Sequence, residues 1–129
     1  MNRHKLRFSR VPGCFAICRL AADSPVPDWA LRGAFFSVTG SPDEVSIVCP
    51  VDRVPAEIRH ETRWACFKLE GPFPFSETGI LLSFVQPLSD RAVPIFAVST
   101  FDTDYVLVEE AWVERALAAL RDAGHVALG

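Results

Sequence analysis

Apolar residues recur along this chain in two rhythms, and the rhythms predict its elements. Between Val93 and Val108 two apolar runs, VPIFAVS and YVLV, flank the polar segment Thr100-Phe101-Asp102-Thr103-Asp104. Val, Ile, Phe and Tyr suit a half-buried pleated surface and Asp and Thr interrupt it. The spacing therefore predicts an antiparallel hairpin with a loop of about five residues. A helical rhythm lies on each side of it. Over Ser76–Arg91, Ile80, Leu81, Phe84, Val85 and Leu88 make one broad stripe. Ser76 is the expected N-cap, Glu77 suits the positive end of the helix dipole, and Pro87 predicts a kink or an early end. Over Ala111–Ala123 the stripe is Val113, Ala116, Leu117 and Leu120, with Gly124 placed to cap its C-terminus.

Arg63–Glu70, RWACFKLE, reads as a strand before the first helix, and His125–Leu128 as a short strand after the second. The second half is thus β-α-β-β-α-β. The first half repeats this order loosely. Cys14–Leu20 is a strand, and Ala34–Thr39 and Glu44–Val48 are two more around the turn Gly40-Ser41-Pro42-Asp43. Helical turns are expected at Asp28–Leu31 and Pro55–Arg59, and Lys5–Arg10 alternates weakly. The expected class is α+β, with antiparallel sheets carrying helices on one face. The expected units are 1–62, with degenerate helices, and 63–129. The strand at 63–70 closes the first or opens the second.

The length of 129 residues suits one compact domain or two very small ones. Thirteen basic and sixteen acidic residues give a net charge of −3, and the basic residues cluster only at Arg3, His4, Lys5 and Arg7. Such a balance argues against nucleic acid, whose affinity comes from phosphate neutralisation. No apolar run reaches the roughly 20 residues of a membrane span, and no apolar stretch follows the basic N-terminus, so the expected compartment is the cytoplasm. Cys14, Cys18, Cys49 and Cys66 form no C-x-x-C pair and are expected as reduced, buried thiols. His4, His60 and His125 lack metal-ligand spacing and are expected to face solvent. Trp29, Phe35, Phe36 and Trp64 exceed what so small a chain buries alone, which predicts a homodimer.

Five motifs carry a resemblance: Pro12-Gly13 before CFAICRL, PDWALRGAFFSVT over Pro27–Thr39, SIVCP over Ser46–Pro50, FSETGILLSF over Phe75–Phe84, and PIFAVSTFDTDYVLV over Pro94–Val108. Together with the order of elements, they resemble the ACT domain, a ferredoxin-like fold. More specifically, they resemble small bacterial ACT proteins related to the CASTOR arginine sensors. The resemblance implies two tandem ACT-like units, amino-acid sensing and no catalytic machinery or cofactor.

Two stretches are candidates for ligand contact. The start of the first helix offers free backbone donors and a partial positive charge that suit a carboxylate, and Gly79 lets a ligand approach the backbone. ACT domains bind amino acids near this strand-to-helix turn, so the resemblance points to Ser76, Thr78, Gly79 and Ile80. The second stretch is the turn Ser99–Asp104. There Asp102 and Asp104 suit an ammonium group and Ser99 and Thr100 add hydroxyls. Both also have a plain structural reading, as a capped helix and as Asp/Thr turn chemistry. The two carboxylates lack the glycine and distal Glu of a calcium loop, so no metal is expected. An enzyme of ferredoxin-like fold is the alternative. However, no glycine-rich anion loop with an arginine follows either candidate first strand, and no cysteine has a histidine beside it in sequence. An interaction module without ligand is the other alternative. An RNA-recognition domain lacks both its aromatic motif and its basic surface here.

Overall fold

Eight strands and two α-helices follow the apolar rhythm, in an order set out by a computed structural model that describes residues 4–129. Arg3, one of the four clustered basic residues, lies outside that range. In chain order the elements are β1 (Arg7–Arg10), β2 (Phe15–Leu20), β3 (Ser37–Gly40), β4 (Val45–Pro50), β5 (His60–Leu69), α1 (Ile80–Asp90), β6 (Phe96–Ser99), β7 (Asp104–Glu109), α2 (Val113–Asp122) and β8 (Val126–Ala127). They make two units. Val11–Trp64 is one, and the described residues up to Arg10 join Ala65–Gly129 in the other.

In the Val11–Trp64 unit the strand order is β3-β4-β2-β5, with Cys18 opposite Ile47 and Ala16 opposite Cys49. Ala16, Cys18, Ala30, Val45, Ile47 and Cys49 form its core, with Trp29 and Val38 packed against it. Among the described residues its helical content is two 3-10 turns, Asp28–Ala30 and Val51–Arg53. The second falls earlier than the turn expected at Pro55–Arg59, where a bond from Ile58 N–H to Pro55 O (3.1 Å) closes a simple turn. Ser41 shapes the β3–β4 hairpin by accepting the N–H groups of Asp43 and Glu44 on its hydroxyl, both at 3.2 Å.

The other unit holds the β-α-β-β-α-β order from β5 to β8, but its sheet runs β6-β7-β5-β1-β8. The N-terminal strand β1 stands between the first and last strands of that order. It is antiparallel to β5, with Phe8 opposite Leu69, and parallel to β8, with Arg7 opposite Val126. The cause is one side chain. Phe8 is 1% exposed and meets the Phe67 and Phe84 rings edge-on at 5.6 and 5.2 Å, while Arg7 and Arg10 stay in water. Leu69, Leu88, Val106, Val108 and Leu120 complete this core.

Helix α1 starts at Ile80, not at Ser76. Ser76-Glu77-Thr78 carries no apolar side chain to bury, and Glu77 N–H closes a turn on Pro74 O at 3.0 Å. Gly79, at φ 81°, is the N-cap, in a left-handed conformation that glycine adopts without strain. Helix α2 ends as expected. Gly124, at φ 92°, donates to Arg121 O (2.9 Å), and His125 N–H donates to Leu120 O (3.0 Å), the paired bonds of a Schellman motif.

Pro87 does not end α1, which runs on to Asp90. Proline has no N–H, so it leaves the carbonyl four residues back, that of Ser83, without its helical partner. His125 supplies the partner. Its Nδ1 accepts Leu6 N–H at 3.0 Å, so Nε2 carries the proton and donates to Ser83 O at 2.9 Å. The expectation that the histidines face solvent is therefore corrected. His125 is 4% exposed, and burial pushes its pKa below the ordinary value of 6.5, with the Lys5 ammonium adding to the shift and the bond to Ser83 opposing it. His4 and His60 are half-buried and bound to Thr78 O (3.0 Å) and Ile58 O (2.6 Å).

Candidate functional site

The β6–β7 turn is tighter than its sequence suggests. Four residues, 100–103, join the strands, because Ser99 pairs with Asp104 and extends the ladder. Thr100 N–H bonds Thr103 O at 2.8 Å, and Thr100 Oγ1 donates to the same oxygen at 3.1 Å. Ser99 Oγ donates to the Asp104 carboxylate at 2.5 Å. Ser99, Thr100 and Asp104 thus shape the turn, while the Asp102 side chain points into water.

At the start of α1, Ser76 and Thr78 are exposed, Gly79 is half-buried and Ile80 is buried. The N-cap Gly79 makes no side-chain cap bond, and the first turn holds no acidic residue, so the helix's positive end is not offset by a carboxylate from within. The N-terminal segment lies alongside. His4 N–H donates to Ser83 Oγ at 3.1 Å, and the His4 imidazole sits 3.8 Å from Glu77.

The segment leading to the helix and the β6–β7 turn meet through Asp102 and through residues outside the candidates read from the sequence. The Phe75 and Phe101 rings pack edge-to-face with centroids 4.9 Å apart. Phe73 N–H donates to Asp102 O at 2.8 Å, and Thr103 Oγ1 to Leu69 O at 2.7 Å. Gly71 makes this approach possible, since a Cβ there would lie 2.9 Å from Asp102 O. Two concavities share Pro72 and Asp102. One, of about 330 Å³, is walled by Phe73, Phe75 and Phe101. The other, of about 270 Å³, is of mixed character and is lined by Ser9, Lys68, Glu70, Thr103 and Leu128. The available signal was compositional: a Phe-Pro-Phe run at 73–75 and a phenylalanine inside a polar turn.

The thiols sit deep. Cys18, Cys49 and Cys66 are buried and Cys14 is partly so, all four as free cysteines. Burial pushes the Cys66 thiol up to about 12, so it is protonated at neutral pH and a poor nucleophile. A hydrogen bond to Cys49 raises Cys18 further and lowers Cys49. Among the described residues no group of three His, Cys, Asp or Glu side chains is placed to hold a metal ion. No helix among them is long and apolar enough to cross a membrane.

Both turns lie in the half of the chain that matches a known family, the ACT domain, over residues 59–122. Residues 13–57 match a different family, described as an N-terminal domain. Protein Atu0741 from Agobacterium tumefaciens is 44% identical, with 97% of this chain and 93% of that one aligned at a TM-score of 0.92. The chain belongs to the family of Atu0741 and carries an ACT domain. Two more distant likenesses show the fold. VC0802 from Vibrio cholerae, a protein of unknown function described as a possible transport protein, is 13% identical, with 94% and 91% covered and a TM-score of 0.74. Aspartate kinase from Clostridium acetobutylicum, an allosteric enzyme, is 14% identical, with 96% of this ACT-domain chain but 36% of the kinase covered and a TM-score of 0.65. No curated protein matches the chain. An ACT domain is a regulatory, small-molecule-binding module, and neither of the two family matches is described as catalytic.

Proposed function

We propose that this ACT protein is a non-enzymatic sensor of an amino acid, working as a cytoplasmic homodimer of the type related to the CASTOR arginine sensors, with residues 1–62 as a degenerate ACT-like partner of residues 63–129. The observation that carries the reading is the ACT match on the half that holds both turns. The allosteric aspartate kinase, alike in fold, supports a regulatory role. In this reading the ligand's carboxylate lies on the backbone donors around Thr78, Gly79 and Ile80, near Ser76. Its amine faces Asp102 or Asp104, with Ser99 and Thr100 lining the floor. The uncapped, glycine-led start of α1 favours the first contact and the exposed Asp102 carboxylate the second.

A charge-assisted hydrogen bond contributes about 1.5–3 kcal/mol. Gly79→Val and Asp102→Asn are each expected to weaken the amino acid found by a binding screen by roughly tenfold to a hundredfold. Isothermal titration on chains shown by circular dichroism to be folded makes the test. Unchanged affinity in both variants would move the pocket elsewhere. The dimer has less behind it than the sequence suggests. Of the four aromatics that motivate it, Phe35 and Trp64 are buried within the chain, and Phe36 is 44% exposed. Light scattering that finds only monomer at micromolar concentration removes it.

A further inference from the structure

Phe75 and Phe101 are 77% and 78% exposed, more than any other large apolar side chain described. Placing two phenylalanine rings in water forgoes the burial that such side chains ordinarily gain. They are also not on a loose loop. The bonds from Phe73 N–H to Asp102 O and from Thr103 Oγ1 to Leu69 O hold both segments, and the Gly71 approach leaves no room for slack. The rings therefore stand on a fixed mount beside a groove of about 330 Å³ lined by Pro72, Phe73, Pro74, Phe75, Phe101 and Asp102. Five of these six residues are apolar or aromatic and the sixth, Asp102, is an exposed acidic residue. That combination suits a ligand with an apolar body and one positive charge beside it. A polar side chain would lose water against the rings without a hydrogen bond in return. An acid lacking an amine would meet only the negative Asp102.

We infer that this groove receives the side chain of an apolar amino acid, aliphatic or aromatic, with its ammonium group on Asp102. The inference rests on the amino-acid reading above and adds the class of side chain. Phe75 precedes the helix-start donors, which begin at Thr78, by three residues and Phe101 precedes Asp102 by one, so the ring pair stands close to both proposed polar anchors in the chain.

The test is titration of the wild-type chain with the individual amino acids, followed by the same titrations on Phe101→Ser, Phe75→Ser and Asp102→Asn. Leucine, methionine and phenylalanine are expected to bind at least tenfold more tightly than glycine, serine or aspartate, since a hydrophobic pocket separates side chains by roughly 10–200-fold. The two ring variants alter side chains already mostly in water, so the fold survives, and each is expected to reduce that preference about tenfold or more. Asp102→Asn weakens all amino acids together. A polar amino acid as the tightest ligand, with Phe101→Ser neutral, overturns this inference and leaves the amino-acid reading standing. A chain that binds no amino acid overturns both. A wild-type dimer that Phe101→Ser dissociates, with ligand affinity unchanged, assigns the rings to a second copy and overturns it as well.

Discussion

His125→Ala is expected to cost about 3–5 kcal/mol of stability, read by urea unfolding, because it strips two buried backbone groups of their partners at once. Leu6 N–H loses its acceptor and Ser83 O its donor, and the imidazole, whose centroid lies 5.4 Å from that of the Phe84 ring, leaves a cavity. Against a total of about 5–15 kcal/mol for a small domain, this is a large fraction. The cause assigned here is specific, since Ser83 O needs His125 only because Pro87 has no N–H to give it. In a Pro87→Ala background the helix supplies its own donor, and the His125→Ala cost is expected to fall by about 1 kcal/mol or more. An equal cost in both backgrounds would break the link between the two residues. The sign with pH follows from the same geometry. Burial disfavours the imidazolium and holds the pKa below 6.5, and Leu6 N–H needs an unprotonated Nδ1 to accept it. The contribution is full above the unfolded value of about 6.5 and is lost as pH falls through it toward the lowered folded value. His125→Gln is expected to flatten that part of the stability curve.

Deleting the residues before Val11 is expected to unfold the ACT half, although every residue of the family match at 59–122 remains. The deletion removes the strand between β5 and β8. With it go Leu6 and Phe8, 6% and 1% exposed, and the bonds from Glu70 N–H to Arg7 O (2.8 Å), Val126 N–H to Leu6 O (2.9 Å) and Leu128 N–H to Phe8 O (2.7 Å). Phe8→Ala alone is expected to cost about 3–5 kcal/mol. For the deletion, hydrogen exchange across β5, α1 and α2 is the measurement, with loss of slow exchange expected throughout. Retained protection would show that the β-α-β-β-α-β order is self-sufficient.

How far the sequence exposes this architecture depends on whether a signal is local. The stripe Ile80-Leu81-Phe84-Val85-Leu88 and the alternation around β6 and β7 lie within a few residues of each other, and both elements form where the periodicity puts them. The start of α1 is misplaced by four residues because Ser76 has the chemistry of a cap but no apolar turn behind it, whereas Gly79 supplies the conformation. The place of β1 is not legible, since four residues with one buried phenylalanine carry no address. Nor is the tie between His125, Ser83, Leu6 and Pro87, which spans 119 residues from Leu6 to His125. At the candidate site the polar turns stand out because Asp and Thr break an apolar pattern. Their meeting through Phe75, Phe101 and Gly71 is tertiary, and nothing in the local sequence announces it.

Amino-acid sensing is tested most directly by thermal shift of this 129-residue chain against each of the twenty amino acids. A ligand present at 100 times its dissociation constant adds about 2.7 kcal/mol, which for a domain of this size raises the melting temperature by several degrees. The expected result is such a rise with at least one amino acid, concentration-dependent and clearly reduced by Asp102→Asn. A melting temperature that none of the twenty moves at millimolar concentration would contradict it.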